Sequence, residues 1–528
     1  MSGHSTPGKA PAIPSERTNS MSTELSSHET IPSIDTICPP EIFTLIIQDY
    51  LERQYPIHPL IHIPTFKQQI SQNLHQTDPK LFSFTISLCA TFCAVQPRRF
   101  AHYQSLCAAF KTAYPTIRDF VKRVHLVIQR QRDPDAYEDL TMTDWALACT
   151  LFMSHACIGQ SSSARMYKAE ATAIIIELVG GHRLGKYANP IEVQLRKKAF
   201  WITVAAHICL RITGESLETL TDRSVFEQVD AENLQILPLD DEYITADSIL
   251  APPPGEPQLT AAFCETTKLI KTMAAITKDP TQPKAVTAGG GLGLRHMSSS
   301  SSSSSSSECF VAEKLGACGG CGRVIRMAPR MLVFRNRLGK VAGCLRGLPG
   351  YLAAGYEFGG GGGGDEDERG SGRGGAGGDG RLKARQIETV RTNMHVEHLW
   401  MQNVLIERLS MASKTESDGA MGPKDIWELR EEVCRRLLGV LDRAKEEFVE
   451  PNGHALILKI RQIAASLLDF QPSDDPAQME IVRSAQLYLK RFTDALKRLD
   501  SSYLHGQVID MNIMNQQHMA LAANRNAG

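Results

Sequence analysis

From about Pro40 to Lys278, and again from Gln386 onward, apolar residues return every three or four positions. That is the period of a helix burying one face. Thr141-Met142-Thr143-Asp144 offers a cap for a helix carrying Trp145, Cys149, Phe152 and Ala156 on one face. Leu147 and Leu151 lie on another, which predicts burial on most sides. After Ser161-Ser162-Ser163, Met166, Ala169, Ala173 and Ile176 form the predicted inner stripe of the next helix. Gly180-Gly181 is expected to end it in the left-handed conformation. Asn189-Pro190 reads as a cap and first helical residue. The helix behind it carries Val193, Phe200, Val204 and Ile208 on one face. In the C-terminal part, Ile387, Val390, Met394, Glu397 and Met401 step along one face, and Ile426, Leu429, Val433, Leu437 and Val440 along another. Leu456, Ile460, Ile463 and Leu467 form a third stripe, and Ile481, Ala485, Tyr488, Phe492 and Ala495 a fourth. No alternating stretch is long enough for a strand. The pattern predicts an all-α fold.

The pattern fails in three places. Residues 1–38 are rich in Ser, Thr and Pro and are expected to be a disordered tail. Residues 281–380 hold ten serines from Ser298 to Ser307, six glycines from Gly359 to Gly364 and the acidic run Asp365-Glu366-Asp367-Glu368. Such composition buries little, so the segment is expected to be a low-complexity insertion dispensable for folding. Translated intron sequence would look the same. Met331 to Ala354 is less biased and has room for a short helix. Residues 39–280 and 381–510 then form two parts of one helical domain, and 511–528 a second tail.

Charge and cysteine usage narrow the class. Net charge is -1, so bulk electrostatics draws the chain neither to nucleic acid nor to anionic membrane. Thirteen cysteines are scattered singly through apolar stretches, as buried thiols of a reducing compartment would be. No run approaches the ~18 apolar residues of a membrane span, and no secretory signal is visible.

Tyr50-Leu51-Glu52-Arg53-Gln54-Tyr55-Pro56-Ile57-His58-Pro59-Leu60-Ile61-His62-Ile63-Pro64-Thr65-Phe66 forms an apolar hook punctuated by His and Pro. It resembles the opening of the fungal-specific transcription factor domain, the regulatory region of fungal zinc-cluster activators, including those of sugar utilisation. Further stretches resemble the same domain. They are Ala164–Ala171 leading to Glu177-Leu178-Val179-Gly180-Gly181-His182-Arg183, Leu195-Arg196-Lys197-Lys198-Ala199-Phe200-Trp201, Leu237-Pro238-Leu239-Asp240-Asp241-Glu242-Tyr243, and Arg391–Trp400. Where the family pattern has an Asp-Arg pair, this chain has Ala206-His207, a departure expected to remove a buried ion pair. The resemblance covers roughly residues 41–270 and 381–470. It implies an all-helical domain that senses signals, dimerises or holds an activator inactive. Only Cys38 precedes the hook, so the six-cysteine zinc cluster is expected to be missing, and zinc enters only with such a cluster.

Residues with potential chemistry have plainer readings. His58 and His62 are four apart, but Pro59 and Pro64 interrupt any helix, and packing roles account for them better. Cys318-Gly319-Gly320-Cys321 is half of a zinc knuckle; Cys309 and Cys344 do not supply a second pair at the right spacing. Arg196-Lys197-Lys198 reads as a solvated face or structural ion pairs. No phosphate loop, nucleophile elbow or carboxylate pair occurs in a catalytic frame, so the reading is not an enzyme. Trp145, Phe152, His155, Tyr167, Trp201 and His207 are the candidate walls of an effector pocket, with core filling as the plainer alternative. The expectation is a nuclear regulator of transcription by RNA polymerase II, in carbohydrate use or secondary metabolism, able to shuttle to the cytoplasm. Its partners are other transcription factors or the transcriptional machinery, a second copy or a small effector, but no specific DNA site and no membrane. The alternatives are a truncated zinc-cluster activator and a helical ligand-binding protein without a transcriptional role.

Overall fold

A long run such as Leu81–Val95, apolar or small at nearly every position, has no polar face to give to water. It folds as a helix buried from Leu81 to Val95 (α3, Pro79–Val95), started by Asp78, whose carboxylate accepts from the backbone of Lys80 and Leu81. Around it lie helices of ordinary amphipathic pattern. The computed structural model describes residues 33–132, 138–180, 189–213, 233–277, 329–353, 377–415, 421–469 and 475–504. Among these residues the fold is all-α, with no sheet and one isolated bridge, Ile244 to Ile249.

In chain order the N-terminal helices are α1 (Pro40–Asp49), α2 (Ile63–Ser71), α3, α4 (Pro97–Leu106), α5 (Ala108–Ala113), α6 (Ile117–Gln131), α7 (Met142–Cys157), α8 (Ser161–Val179) and α9 (Pro190–Thr213). A π-helical turn, Tyr50–Gln54, continues α1 into the hook. There follow α10 (Leu259–Thr277), α11 (Pro329–Gly343), α12 (Gly377–Thr415), α13 (Pro423–Arg443), α14 (Glu446–Val449), α15 (Gly453–Ser466) and α16 (Pro476–Leu504). α3 packs on α6 and α7, α7 on α8, α8 on α9, α9 on α10 and α10 on α12. α12 is the axis of the C-terminal half, with α11, α13, α14 and α15 against it, and α16 closes over α13 and α15. One continuous apolar core runs from Ile34 to Ala495. No described helix is long and apolar enough to cross a membrane.

Several sequence expectations meet this structure directly. Thr141 and Asp144 do cap α7, the Thr141 N–H and hydroxyl both donating to the Asp144 carboxylate. Asn189 caps α9 by accepting from the Glu192 N–H at 2.9 Å. The stripe assigned to α8 is its outer face: Met166 is 72 % exposed, and Tyr167, Ala171, Ile175 and Leu178 point inward instead. Alanines at 169 and 173 gave the outer stripe an apolar look without the bulk that fills a core. Gly180 is extended rather than left-handed, and a Cβ there would lie 2.7 Å from the Ile176 carbonyl oxygen, so close approach is what requires glycine. Gly181 lies outside the described residues.

The expected edges also move. Ile34, Ile37 and Cys38 are buried, so the end of the predicted N-terminal tail belongs to the core. The expectation that all of 281–380 is dispensable is corrected by α11. Met331, Phe334, Leu338 and Val341 line its inner face, and Leu352 follows them into the core. Two histidines of α12 fasten this segment. His398 Nε2 donates to the Val341 carbonyl at 2.8 Å and His395 Nε2 to that of Leu352 at 3.0 Å. A carbonyl only accepts, so each ring carries its proton on Nε2, and Gln402 donates to the bare Nδ1 of His398.

Burial pushes both rings down, His398 to about 4, because a charged imidazolium loses its hydration there. The unfolded chain titrates near 6.5. Stability from the neutral ring is therefore full above about 6.5 and drains as pH falls toward 4. For His398 alone we expect a loss of about 2 kcal/mol between pH 7 and pH 5. Urea denaturation at the two pH values, with His398→Asn as control, checks this. An equal drop in the variant would place the dependence elsewhere.

Candidate functional site

Three stretches far apart in the chain, 50–66, 195–201 and 237–243, meet at one buried carboxylate. The hook brings Tyr55, whose hydroxyl donates to Asp241 Oδ2 at 2.6 Å, and the N–H of Ile63, which donates to the same oxygen at 2.8 Å. From α9 comes Lys198, its ammonium 2.7 Å from Asp241 Oδ1. His62 donates from Nε2 to the carbonyls of Asp241 and Ile244, while its Nδ1 accepts from the Thr65 hydroxyl. Both charged side chains are almost wholly hidden, 1 % and 2 % exposed. Burial alone would raise the Asp241 carboxyl, but Lys198, Tyr55 and the Ile63 N–H hold it below its ordinary value. The carboxylate stays charged and every contact to it is satisfied.

The neighbouring acid extends the knot. Asp240 accepts from the N–H groups of Leu259 and Thr260, so it caps α10. Lys383 of α12 lies 3.1 Å from the same carboxylate and also contacts Glu242 and Glu256. Hook, α9, α10 and α12 are thus fixed in register by two consecutive aspartates. Of Arg196-Lys197-Lys198, read from the sequence as a solvated face or structural ion pairs, Lys198 forms a buried ion pair. A second buried pair, Glu397 with Lys459, joins α12 to α15; Cys209 of α9 donates to Glu397, and Lys459 lies 5.3 Å over the Trp400 ring.

Of the six candidate pocket residues, the structure brings His155 and Tyr167 together, stacked at 5.4 Å. His125 joins them, its Nδ1 lying 3.0 Å from His155 Nε2 and 3.3 Å from the Tyr167 hydroxyl. Burial pushes both histidines below their ordinary pKa. His125 was not anticipated; it sits on α6, whose exposed face gave no reason to select it. Trp145 donates to Thr203 at 3.2 Å and Trp201 to the Leu234 carbonyl at 2.8 Å, so both indoles tie α9 to its neighbours. His207 is buried in α9 and Phe152 half-buried against the core. A cleft with room for little more than a water molecule lies elsewhere, between Arg98, Glu450, Leu456 and Leu499.

His58 accepts at Nδ1 from the Gln54 amide, 2.6 Å away, and is not beside His62's partners. Cys318 and Cys321, with Cys309, lie outside the described residues, and Cys344 is half-buried beside Thr272. Among the described residues, no three His, Cys, Asp or Glu side chains are grouped to hold a metal ion. The described cysteines are all free thiols. Comparison of the chain with family models, with curated proteins and with solved structures finds no match in any of the three.

Proposed function

We propose that this chain is a regulator of transcription, acting through a helical domain of the fungal-specific transcription factor type. The observation that supports this is the knot at Asp241. The hook, the basic segment ending in Phe200-Trp201 and the Pro-Leu-acidic segment were singled out separately by resemblance, and they share one buried carboxylate. On this reading the domain works in the nucleus and passes a signal, from an effector or partner, to the transcriptional machinery. Buried ion pairs suit such a domain because they fix one packing of many helices rather than add stability.

The test is a fusion of the full chain to a foreign DNA-binding domain, upstream of a reporter in a fungal host. We expect reporter output to move at least about tenfold, up or down, a coupling of ordinary size. Lys198→Met should abolish the effect. Output equal to that of the DNA-binding domain alone, with the fusion intact and nuclear, would remove this reading and leave a helical ligand-binding protein.

A further inference from the structure

One proton serves three electron-rich atoms where α6, α7 and α8 meet. Gln160 Oε1 lies 2.5 Å from His155 Nδ1. An amide oxygen only accepts, so His155 carries its proton there and leaves Nε2 bare. That bare nitrogen is 3.0 Å from His125 Nδ1, which is therefore the donor. The Tyr167 hydroxyl oxygen lies 3.3 Å from the same Nδ1. The two imidazole planes stand at 86°, so their nitrogens meet without the rings stacking.

Two imidazole nitrogens and a phenol oxygen around one point are a donor set for a metal ion. Nitrogens 3.0 Å apart, each at the usual metal bond of about 2.0–2.1 Å, subtend roughly a right angle, as in a square or octahedral shell. Gln160 fixes the tautomer and orientation of His155 from its far side, the part an outer-shell partner plays. Burial, then the charges of His155 and Arg132, hold His125 below its ordinary pKa, and burial does the same to His155. Both rings are therefore neutral at neutral pH, as ligands must be. Arg132 is itself paired with Glu170. His125 is half-buried, so the pair lies next to solvent. We propose that His125 Nδ1, His155 Nε2 and the Tyr167 oxygen form a binding site for one divalent late transition-metal ion, which takes the place of the proton they share. His125 moves that proton to its own Nε2, and the imidazoles stay neutral. The described His, Cys, Asp and Glu side chains offer no group of three, and the third donor here is a phenol. A bound ion clamps α6 to α7 and α8. The inference stands independently of the transcriptional reading.

The experiment uses the purified full chain without an affinity tag, titrated with nickel chloride at neutral pH. Nickel is the probe because free thiols, which the chain carries, reduce copper(II). Calorimetry is expected to show a saturable site, and the melting temperature should rise with the logarithm of nickel concentration. Gln160→Met, which leaves both rings in place, should weaken binding by about tenfold, and His125→Asn or His155→Gln by at least as much. Tyr167→Phe should weaken it too, and an unchanged affinity there would remove the phenol from the site. His125 is the less enclosed ring, so its variant serves if His155→Gln does not fold. Nickel binding unchanged in His125→Asn overturns the proposal, because the ion then sits on other histidines or thiols. So does the absence of saturable binding, which would mean that the three groups only hydrogen-bond one another.

Discussion

Replacing residues 329–353 with a Gly/Ser linker of equal length is expected to leave no soluble, folded protein. Met331, Phe334, Leu338, Val341 and Leu352 are all buried in the common core. At about 1.5–3 kcal/mol for each buried side chain, their removal costs roughly 8–15 kcal/mol. That figure is an upper bound, since an unfolded chain already hides part of its apolar surface. It still equals the whole stability of an ordinary domain, about 5–15 kcal/mol. The damage also spreads to α12. His395 and His398 would lose the carbonyls to which they donate, and each would be a buried ring without an acceptor. Shortening the serine tract from Ser298 to Ser307 is the contrasting experiment. Halving a connection changes closure entropy by only about 0.6 kcal/mol. Soluble yield and urea midpoints of the two variants separate these outcomes. A stable linker variant would show that α11 is not part of the core.

Lys198→Met is expected to destabilise the protein by about 3–5 kcal/mol, the cost of leaving a buried carboxylate without its counter-ion. Asp241 has nowhere to go: Tyr55 and Ile63 hold its other oxygen, and water does not reach it. The double variant Lys198→Met/Asp241→Leu should be less damaged than the sum of the singles, because it removes the orphaned charge. Recovery will be incomplete, since the Tyr55 hydroxyl and the Ile63 N–H then lose an acceptor, each costing about 1–3 kcal/mol. A double-mutant cycle by urea denaturation measures the coupling. Additive effects would mean that the two charges do not interact in the folded state. Removing an exposed pair such as Arg491–Asp442 should change little.

The contrast between α8 and α12 shows what made the fold readable. In α12 the stripe Ile387, Val390, Met394, Glu397, Met401 is buried at each position, because bulky residues sit only where the core is. In α8 the core face includes Lys168, while Met166 faces solvent, so hydrophobicity alone pointed the helix the wrong way. α11 was half legible: a short helix was expected within Met331 to Ala354, but its place in the core was not. Its own residues are ordinary helix formers, but they lie between serine and glycine tracts that dominate the local composition. The polar knot was half legible. Its segments stood out by resemblance, yet nothing in Arg196-Lys197-Lys198 says that the last of the three turns inward, because its partner lies 43 positions away. His125 was invisible for the same cause: its neighbours His155 and Tyr167 come from α7 and α8, and only their packing selects it.

The distance between the hook and its partners sets a timetable for synthesis. Tyr55 leaves the ribosome 186 residues ahead of Asp241, the acceptor of its hydroxyl, and Leu51 precedes Gln386, whose amide it receives, by 335. At about 5–20 residues per second, the first interval alone lasts about 10–40 s. For that time the Tyr55 hydroxyl, the Ile63 N–H and the His62 Nε2 are without their native acceptors at Asp241 and Ile244. The nascent chain therefore spends much of its translation with these hook groups waiting for residues not yet made, so the final docking of the hook can only follow synthesis of the C-terminal half.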